Sequence, residues 1–296
     1  VEISTDPTRM AQLGRNDVLL LYRYNSAWGD LEPALAAAAG RGVRLMADVD
    51  DFLWQAPGWD ALRLKAFSRA LRHCRVISCS TEPLQDVLSA MFRQARVVLI
   101  ANSTPPARMG SQPLSSGPVQ LCWTGAPWTR PQDLALLQPL VRWASQRDQP
   151  LRWRHIGHRQ GQLSFAEAVG LDPSLVDVHP LLPHQQYLLT LGGDIGLAPL
   201  APSSFNTFKS ELKLLEYSGL AMPWIASDAT PYRDLCTRWN WKGRLCRQPE
   251  DWIMHLEQLL DPATRYEEGQ ALQGLAHGLQ SHAQTVACWR SVLLTG

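Results

Sequence analysis

Apolar and polar positions alternate along this chain in two rhythms. Val18-Leu-Leu-Leu-Tyr22, Val43-Arg-Leu-Met-Ala47, Val76-Ile-Ser-Cys79 and Val97-Val-Leu-Ile100 are short apolar runs of strand length. Stretches of helical period separate them: Leu31 to Ala39, ended by Gly40; Trp59 to His73; and Pro83 to Phe92, with proline in its first turn. The order βαβαβαβ predicts a parallel sheet, since parallel strands need crossover connections. Residues 103–118, rich in Pro, Gly and Ser, break the rhythm and read as a linker. The alternation then restarts. It predicts strands at 119–123, 151–156, 176–178, 194–198 and 223–226, and helices at 131–146, 164–169, 184–191 and 207–218. Two helical segments follow, near 249–260 and 263–294.

Length agrees with a division: 296 residues suit two domains of ordinary size, and a 45% hydrophobic chain can bury sizeable cores. The expected fold is α/β, with two Rossmann-like domains facing across a cleft. The first, reduced domain spans 1–110 and the second spans 111–275. Helices follow the second domain, and residues 276–296 form a C-terminal helix that can pack back on the first. The net charge of +1 offers no global field for nucleic acid. The basic residues are lopsided, 24 Arg against 4 Lys, and Lys209 and Lys213 are neighbours. The six cysteines lack the spacing of a zinc site or a disulfide framework. No apolar run approaches the length of a membrane span. Without a secretory signal, the cytoplasm is expected, with peripheral attachment to a membrane left open. The chain begins at Val1, so its start can be trimmed.

The densest chemistry lies in 194–232. Asp194-Ile-Gly-Leu-Ala-Pro-Leu reads as a strand, 203–206 as a polar loop, 207–218 as a helix and Ile225-Ala-Ser as the next strand. On a helix over 207–218, Lys209, Lys213 and Glu216 share one face, while Phe208, Leu212 and Leu215 share the core face. Cations near the positive end of a helix suit a diphosphate, and a carboxylate further along suits sugar hydroxyls. The alternative is a solvated stripe with a Lys213–Glu216 pair.

This stretch resembles the donor-binding half of GT-B glycosyltransferases, specifically their group 1, family-4-like members. Those enzymes place a Glu seven residues before a Pro that leads into a strand, as Glu216 and Pro223 are placed here. Cys122-Trp-Thr-Gly125 with Arg130-Pro-Gln-Asp133-Leu resembles the opening strand and glycine loop of their second domain. His155-Ile-Gly157 resembles its second strand. Ser80-Thr-Glu-Pro-Leu and Ile100-Ala-Asn102-Ser resemble the end of the first domain, and Asp48-Val-Asp50-Asp51-Phe-Leu-Trp54 one of its loops. As a pattern the resemblance covers most of 18–290. It is specific in 194–232 and at Asp50-Asp51.

The resemblance implies a nucleotide-diphosphate sugar as donor, a glycan, lipid-linked or protein acceptor, and retention of anomeric configuration. Protein cations would serve in place of a metal or other cofactor. Glu216 would hold the ribose. Lys209 and Lys213 would neutralise the departing diphosphate, with the backbone at Thr207–Lys209. Gly125 would let the chain approach the phosphates, and Arg130 would add a second cation. Phe208 occupies the position where the group commonly carries another Glu, eight residues before Glu216. The donor sugar is thus left to residues such as Ser204 and Asn206.

Arg23, Asp50, Asp51 and Trp54 are expected at the carboxyl ends of the first strands, on the acceptor side, with Asp50 a candidate base. Asp48-Val49-Asp50 also spells the DxD of metal-dependent GT-A enzymes, but the two-domain alternation points away from that class. Trp28, Trp54 and Trp59 suit either sugar rings or packing. His155, His158, His179 and His184 lack metal spacing and are expected in core or cap roles. Neither a GxSxG elbow nor a GxGxxG after the first strand is present. Beside the transferase reading stands a non-catalytic nucleotide-sugar-binding module, alone or as a domain of a larger glycan-assembly protein.

Overall fold

The computed structural model describes residues 6–22, 31–105 and 117–295. The chain divides into two units. The first comprises residues 1–102, 207–210 and 283–296; the second comprises 103–206 and 211–282. The division is therefore not contiguous. Four residues from the middle of the second unit's sequence, and the last helix of the chain, belong to the first.

In the first unit, β1 (Val18–Tyr22), α1 (Glu32–Gly40), β2 (Arg44–Val49), α2 (Ala61–Arg72), β3 (Val76–Cys79), α3 (Glu82–Met91) and β4 (Arg96–Leu99) alternate. All four strands are parallel, in the order β1-β2-β3-β4. Such a singly wound sheet puts its crossover helices on one face. Leu45, Ala47 and Val49 of β2 turn to that face, where Leu35, Phe67, Leu71, Leu84 and Leu88 close the core. Met46 and Val76 turn to the other face. It is covered by Trp289, Val292 and Leu293 of the last helix, His282–Thr295.

The second unit contains β5 (Gln120–Thr124), α4 (Pro131–Ala135), α5 (Gln138–Ala144), β6 (Arg152–His158), α6 (Phe165–Val169), β7 (Val176–Pro180) and α7 (His184–Thr190). It continues through β8 (Ile195–Ala198), α8 (Ser204–Thr207), α9 (Leu212–Gly219), β9 (Trp224–Ser227), α10 (Thr230–Arg238), β10 (Leu245–Cys246), α11 (Pro249–Leu259) and α12 (Pro262–Leu279). The last helix is then α13. The strand order is β10-β9-β8-β5-β6-β7, all parallel. Connections leave β5 toward β6 on one side, and the later strands lie on the other. The sheet therefore reverses between β5 and β8, where open α/β sheets hold ligands at their carboxyl ends.

The expected helix 207–218 is corrected. It is two helices, α8 and α9, separated by 208–211. In place of a helical hydrogen bond, the Phe208 carbonyl accepts one from the Thr81 hydroxyl at 3.1 Å. The Phe208 ring lies 4.5 Å from that of Phe52, in the first unit's core rather than beside Leu212 and Leu215. Tertiary partners outbid the local period here. The helix expected over 131–146 likewise breaks, into α4 and α5.

Candidate functional site

The second unit gathers its chemistry where β5 and β8 diverge. After Thr124, Gly125 takes a φ of +137°, and a side chain there would meet the Trp123 ring at 3.2 Å. Gly157, at the end of β6, has a φ of +124°; its absent Cβ would stand 2.4 Å from the Gly125 carbonyl oxygen. Only glycine lets these two loops interlock. The Gly125 amide donates to the Ile156 carbonyl at 2.9 Å. His155 Nε2 lies 2.9 Å from the Gly125 carbonyl and so carries the proton. The imidazole is fully buried in a three-ring cluster with Trp123 and Phe165, which also contact each other, and its Nδ1 lacks a hydrogen-bond partner among the described residues. Burial pulls its pKa down to about 4.

A hydrogen-bonded chain runs across the same end of β5. Lys213, in the first turn of α9, donates to the Thr124 carbonyl at 2.5 Å and to its hydroxyl at 3.2 Å. The ammonium stands 5.7 Å from the Trp123 ring centroid. Tyr187, on α7, brings its hydroxyl within 3.3 Å of the Thr124 hydroxyl and donates to Glu216 Oε2 at 2.6 Å. Glu216 is only 6% exposed. Burial raises its pKa, opposed by the Tyr187 hydrogen bond and the Lys213 and His184 charges. Burial and the adjacent Glu216 raise the Tyr187 pKa well above its ordinary value.

Other donor-side candidates form a second group. Asp133 is buried and accepts from the Ala201 amide at 2.8 Å and from Asn206 Nδ2 at 3.0 Å. Asn206 also donates to the Ala201 carbonyl at 2.8 Å, so its amide secures the loop after β8. Arg130 lies 3.8 Å from Asp133 and over the Phe205 ring at 5.8 Å. Ser204 and Thr207 are exposed on α8.

Lys209 does not share a helical face with Lys213 and Glu216. It belongs to the first unit, where its ammonium pairs with Asp51 Oδ1 at 2.9 Å. Asn102 Nδ2 reaches Ser210 Oγ at 2.8 Å and Asp50 Oδ1 at 3.4 Å. Asp50, Asp51 and Lys209 thus meet at the carboxyl ends of β2 and β3. Asp48 accepts instead from the Ser78 hydroxyl at 2.6 Å. Among the described residues no group of three or more His, Cys, Asp or Glu is placed to hold a metal ion. Trp54 packs with Phe52, Phe67 and Phe92, its indole N–H donating to Ser68 Oγ at 3.0 Å. Arg23 and Trp28 lie outside the described residues.

Sequence reasoning missed Tyr187 and Thr124. Thr124 had a signal, a hydroxyl residue ending a strand next to a glycine. Tyr187 had none, because nothing in its helix marks where its hydroxyl reaches.

No protein-family model and no curated protein matches the sequence. Solved structures do match. S. aureus TarM superposes with a TM-score of 0.66 at 12% identity, over 97% of this chain and 58% of that one. HepE from Anabaena gives 0.64 at 13% identity, over 94% and 78%. An alpha,alpha-trehalose-phosphate synthase (UDP-forming) from Burkholderia vietnamiensis gives 0.64 at 10% identity, over 98% and 75%. The fold is that of the GT-B glycosyltransferases. This chain spans little more than half the length of TarM. No helix among the described residues is long and apolar enough to cross a membrane.

Proposed function

We propose that the protein is a glycosyltransferase, moving a sugar from a nucleoside-diphosphate donor to an acceptor hydroxyl. The observation that carries this reading is the set at the β5/β8 reversal: a backbone bared by Gly125 and Gly157, the Lys213 ammonium beside it, and the buried Glu216 carboxylate. A diphosphate needs close backbone and a cation. A ribose diol needs an acceptor pair, which Glu216 supplies with Tyr187 fixing one of its oxygens. The TarM and HepE structures are complexes that include UDP, so UDP is the first nucleotide to try.

Catalysis in this reading is electrostatic. Lys213, on the first turn of α9, stabilises charge developing on the departing diphosphate, with Arg130 as a further cation. Such cations take the place of a metal. Asp50 is the acceptor-side carboxylate proposed to receive a proton. Retention follows the resemblance rather than any nucleophile. A second reading is binding without transfer. It is favoured by Phe208, a hydrocarbon ring held against Phe52 at the position where the resembled enzymes carry a carboxylate.

Thermal-shift titration with UDP, GDP, ADP and their sugar conjugates, without metal and then with Mn²⁺, tests both. A ligand at a hundred times its dissociation constant adds about 2.7 kcal/mol. One nucleotide should stabilise the wild type without metal and give a clearly smaller shift on Lys213→Ala and Glu216→Gln. No shift from any nucleotide would sink the site. A shift with no sugar transferred to any of a panel of acceptors would favour the binding module.

A further inference from the structure

A near-neutral total hides an uneven distribution of charge. In the first sheet the four strand starts lie side by side along one edge. Arg15 precedes β1, Arg75 immediately precedes β3, and Arg96 opens β4. Arg72 ends α2 and Arg93 follows α3, the helices that lead back to that edge. All five are exposed, and none has a carboxylate within ion-pair distance among the described residues. Several arginines of the second unit are paired: Arg154 with Asp177 at 2.9 Å, Arg233 with Asp228 at 3.1 Å, Arg244 with Glu268 at 2.7 Å.

The start of β2 adds Arg41. The Arg41 guanidinium donates to the Met10 and Leu13 carbonyls, which leave its charge in place. The edge segments 13–18, 40–44, 72–76 and 91–96 hold seven arginines and one carboxylate, Asp17. Asp17 accepts from the Gly14 amide at 2.9 Å. Glu32, which approaches this edge, is met by Arg69 and His73.

Hydrocarbon accompanies the charge. Met91, the last residue of α3, is 41% exposed. Helix α13 starts beside β4's carboxyl end, where Thr285 donates to the Ala101 carbonyl. Its later residues Trp289, Val292 and Leu293 share a cluster with Val18 and Val76, the first residues of β1 and β3, and Leu294 beside them is 72% exposed.

We propose that this amino edge of the first sheet docks the protein on an anionic phospholipid bilayer. Guanidinium forks match lipid phosphates bidentately, and strand spacings of about 4.8 Å spread the charges across a headgroup layer rather than focusing them in a pocket. The arginines and the two projecting apolar side chains give the two signals that interfacial binding needs. Single-stranded nucleic acid fits less well. It stacks on aromatic side chains, and among the described residues no large aromatic is exposed at this edge. Docking here is independent of glycosyl transfer, and a chain that moved no sugar would still bind.

Vesicle flotation of the full chain tests it, using phosphatidylcholine alone and phosphatidylcholine mixed with phosphatidylglycerol, at low and physiological salt. The protein should float with the mixed vesicles only, and less so as salt rises. Arg75→Gln/Arg96→Gln should weaken partitioning about thirtyfold, from about 1 kcal/mol per arginine. Arg72→Gln/Arg93→Gln is the second pair, should the first not fold. Leu294→Ala should weaken vesicle binding while leaving the affinity for a short DNA duplex unchanged. Flotation indifferent to lipid charge or to both pairs overturns the proposal. So does arginine-dependent binding to the duplex without binding to vesicles, which would make nucleic acid the partner.

Discussion

Glu216 and His155 are two buried titratable groups at one site with opposite consequences for stability. The Glu216 carboxyl is pushed up by burial, so above the ordinary carboxylate range the unfolded chain releases its proton more readily than the folded one. That opposes folding at neutral pH. Glu216→Gln should therefore raise Tm at pH 7, with the gain fading as pH falls below the ordinary carboxylate range. It should also weaken nucleotide binding about 10- to 150-fold, the worth of a hydrogen bond to a charged group. A variant that lost both Tm and affinity would show Glu216 to be structural. His155 acts the other way in pH. Its pKa falls from 6.5 to about 4, so stability is full above 6.5 and is lost as pH drops toward 4. The loss is about 3 kcal/mol at 1.36 kcal/mol per unit. Urea unfolding of His155→Gln against wild type at pH 7 and pH 4.5 should show a flatter profile in the variant.

The glycine loops and the interrupted helix are the elements that matter most. The Gly125 and Gly157 loops form one object, because the first sits where a Cβ on the second would stand. Gly157→Ala should cost about 1–3 kcal/mol in strain and displace Gly125, weakening nucleotide binding through a residue that touches no ligand. Unchanged affinity in a folded Gly157→Ala protein would refute that coupling. The glycines were legible in the sequence as positions, but their interlock was not, since it depends on β5 and β6 being neighbours in register. The break at 208–211 was illegible for a related reason. Helical period is a local signal, whereas Phe208 and Lys209 are held by Phe52 and Asp51, more than 150 residues away for the Lys209–Asp51 pair (|i−j| 158). The Lys209–Lys213–Glu216 stripe dissolved with the helix. Lys213 and Glu216 kept their common helix and gained Thr124 and Tyr187 as partners.

At the scale of the whole chain, the last helix completes the first unit. The singly wound sheet leaves one face bare, and α13 returns from the far end of the sequence to cover Met46, Val76 and Ile100. Trp289→Ala should then destabilise the first unit by about 3 kcal/mol, the usual cost of truncating a large aromatic. Hydrogen exchange should report this, with the amides of β2 and β3 losing protection and those of β8 and β9 keeping theirs. Uniform loss across both sheets, or none, would contradict the assignment of α13 to the first unit.

The sequence by itself determined the α/β class and nine of the ten parallel strands among the described residues, within a residue or two of their ends, missing the two-residue β10; it also marked Gly125, Lys213 and Glu216 as candidates for a donor-side site. Those properties follow from local periodicity and from residues whose chemistry is apparent wherever they stand. Tertiary structure decided the rest. It placed β5 beside β8, broke a helix to seat Phe208 and Lys209, and buried Glu216 against Tyr187. It also aligned along one edge arginines that are scattered over some eighty residues of sequence (15 to 96). The physical reason is the same in each case: partners far apart along the chain become neighbours only through strand order, which local periodicity does not encode.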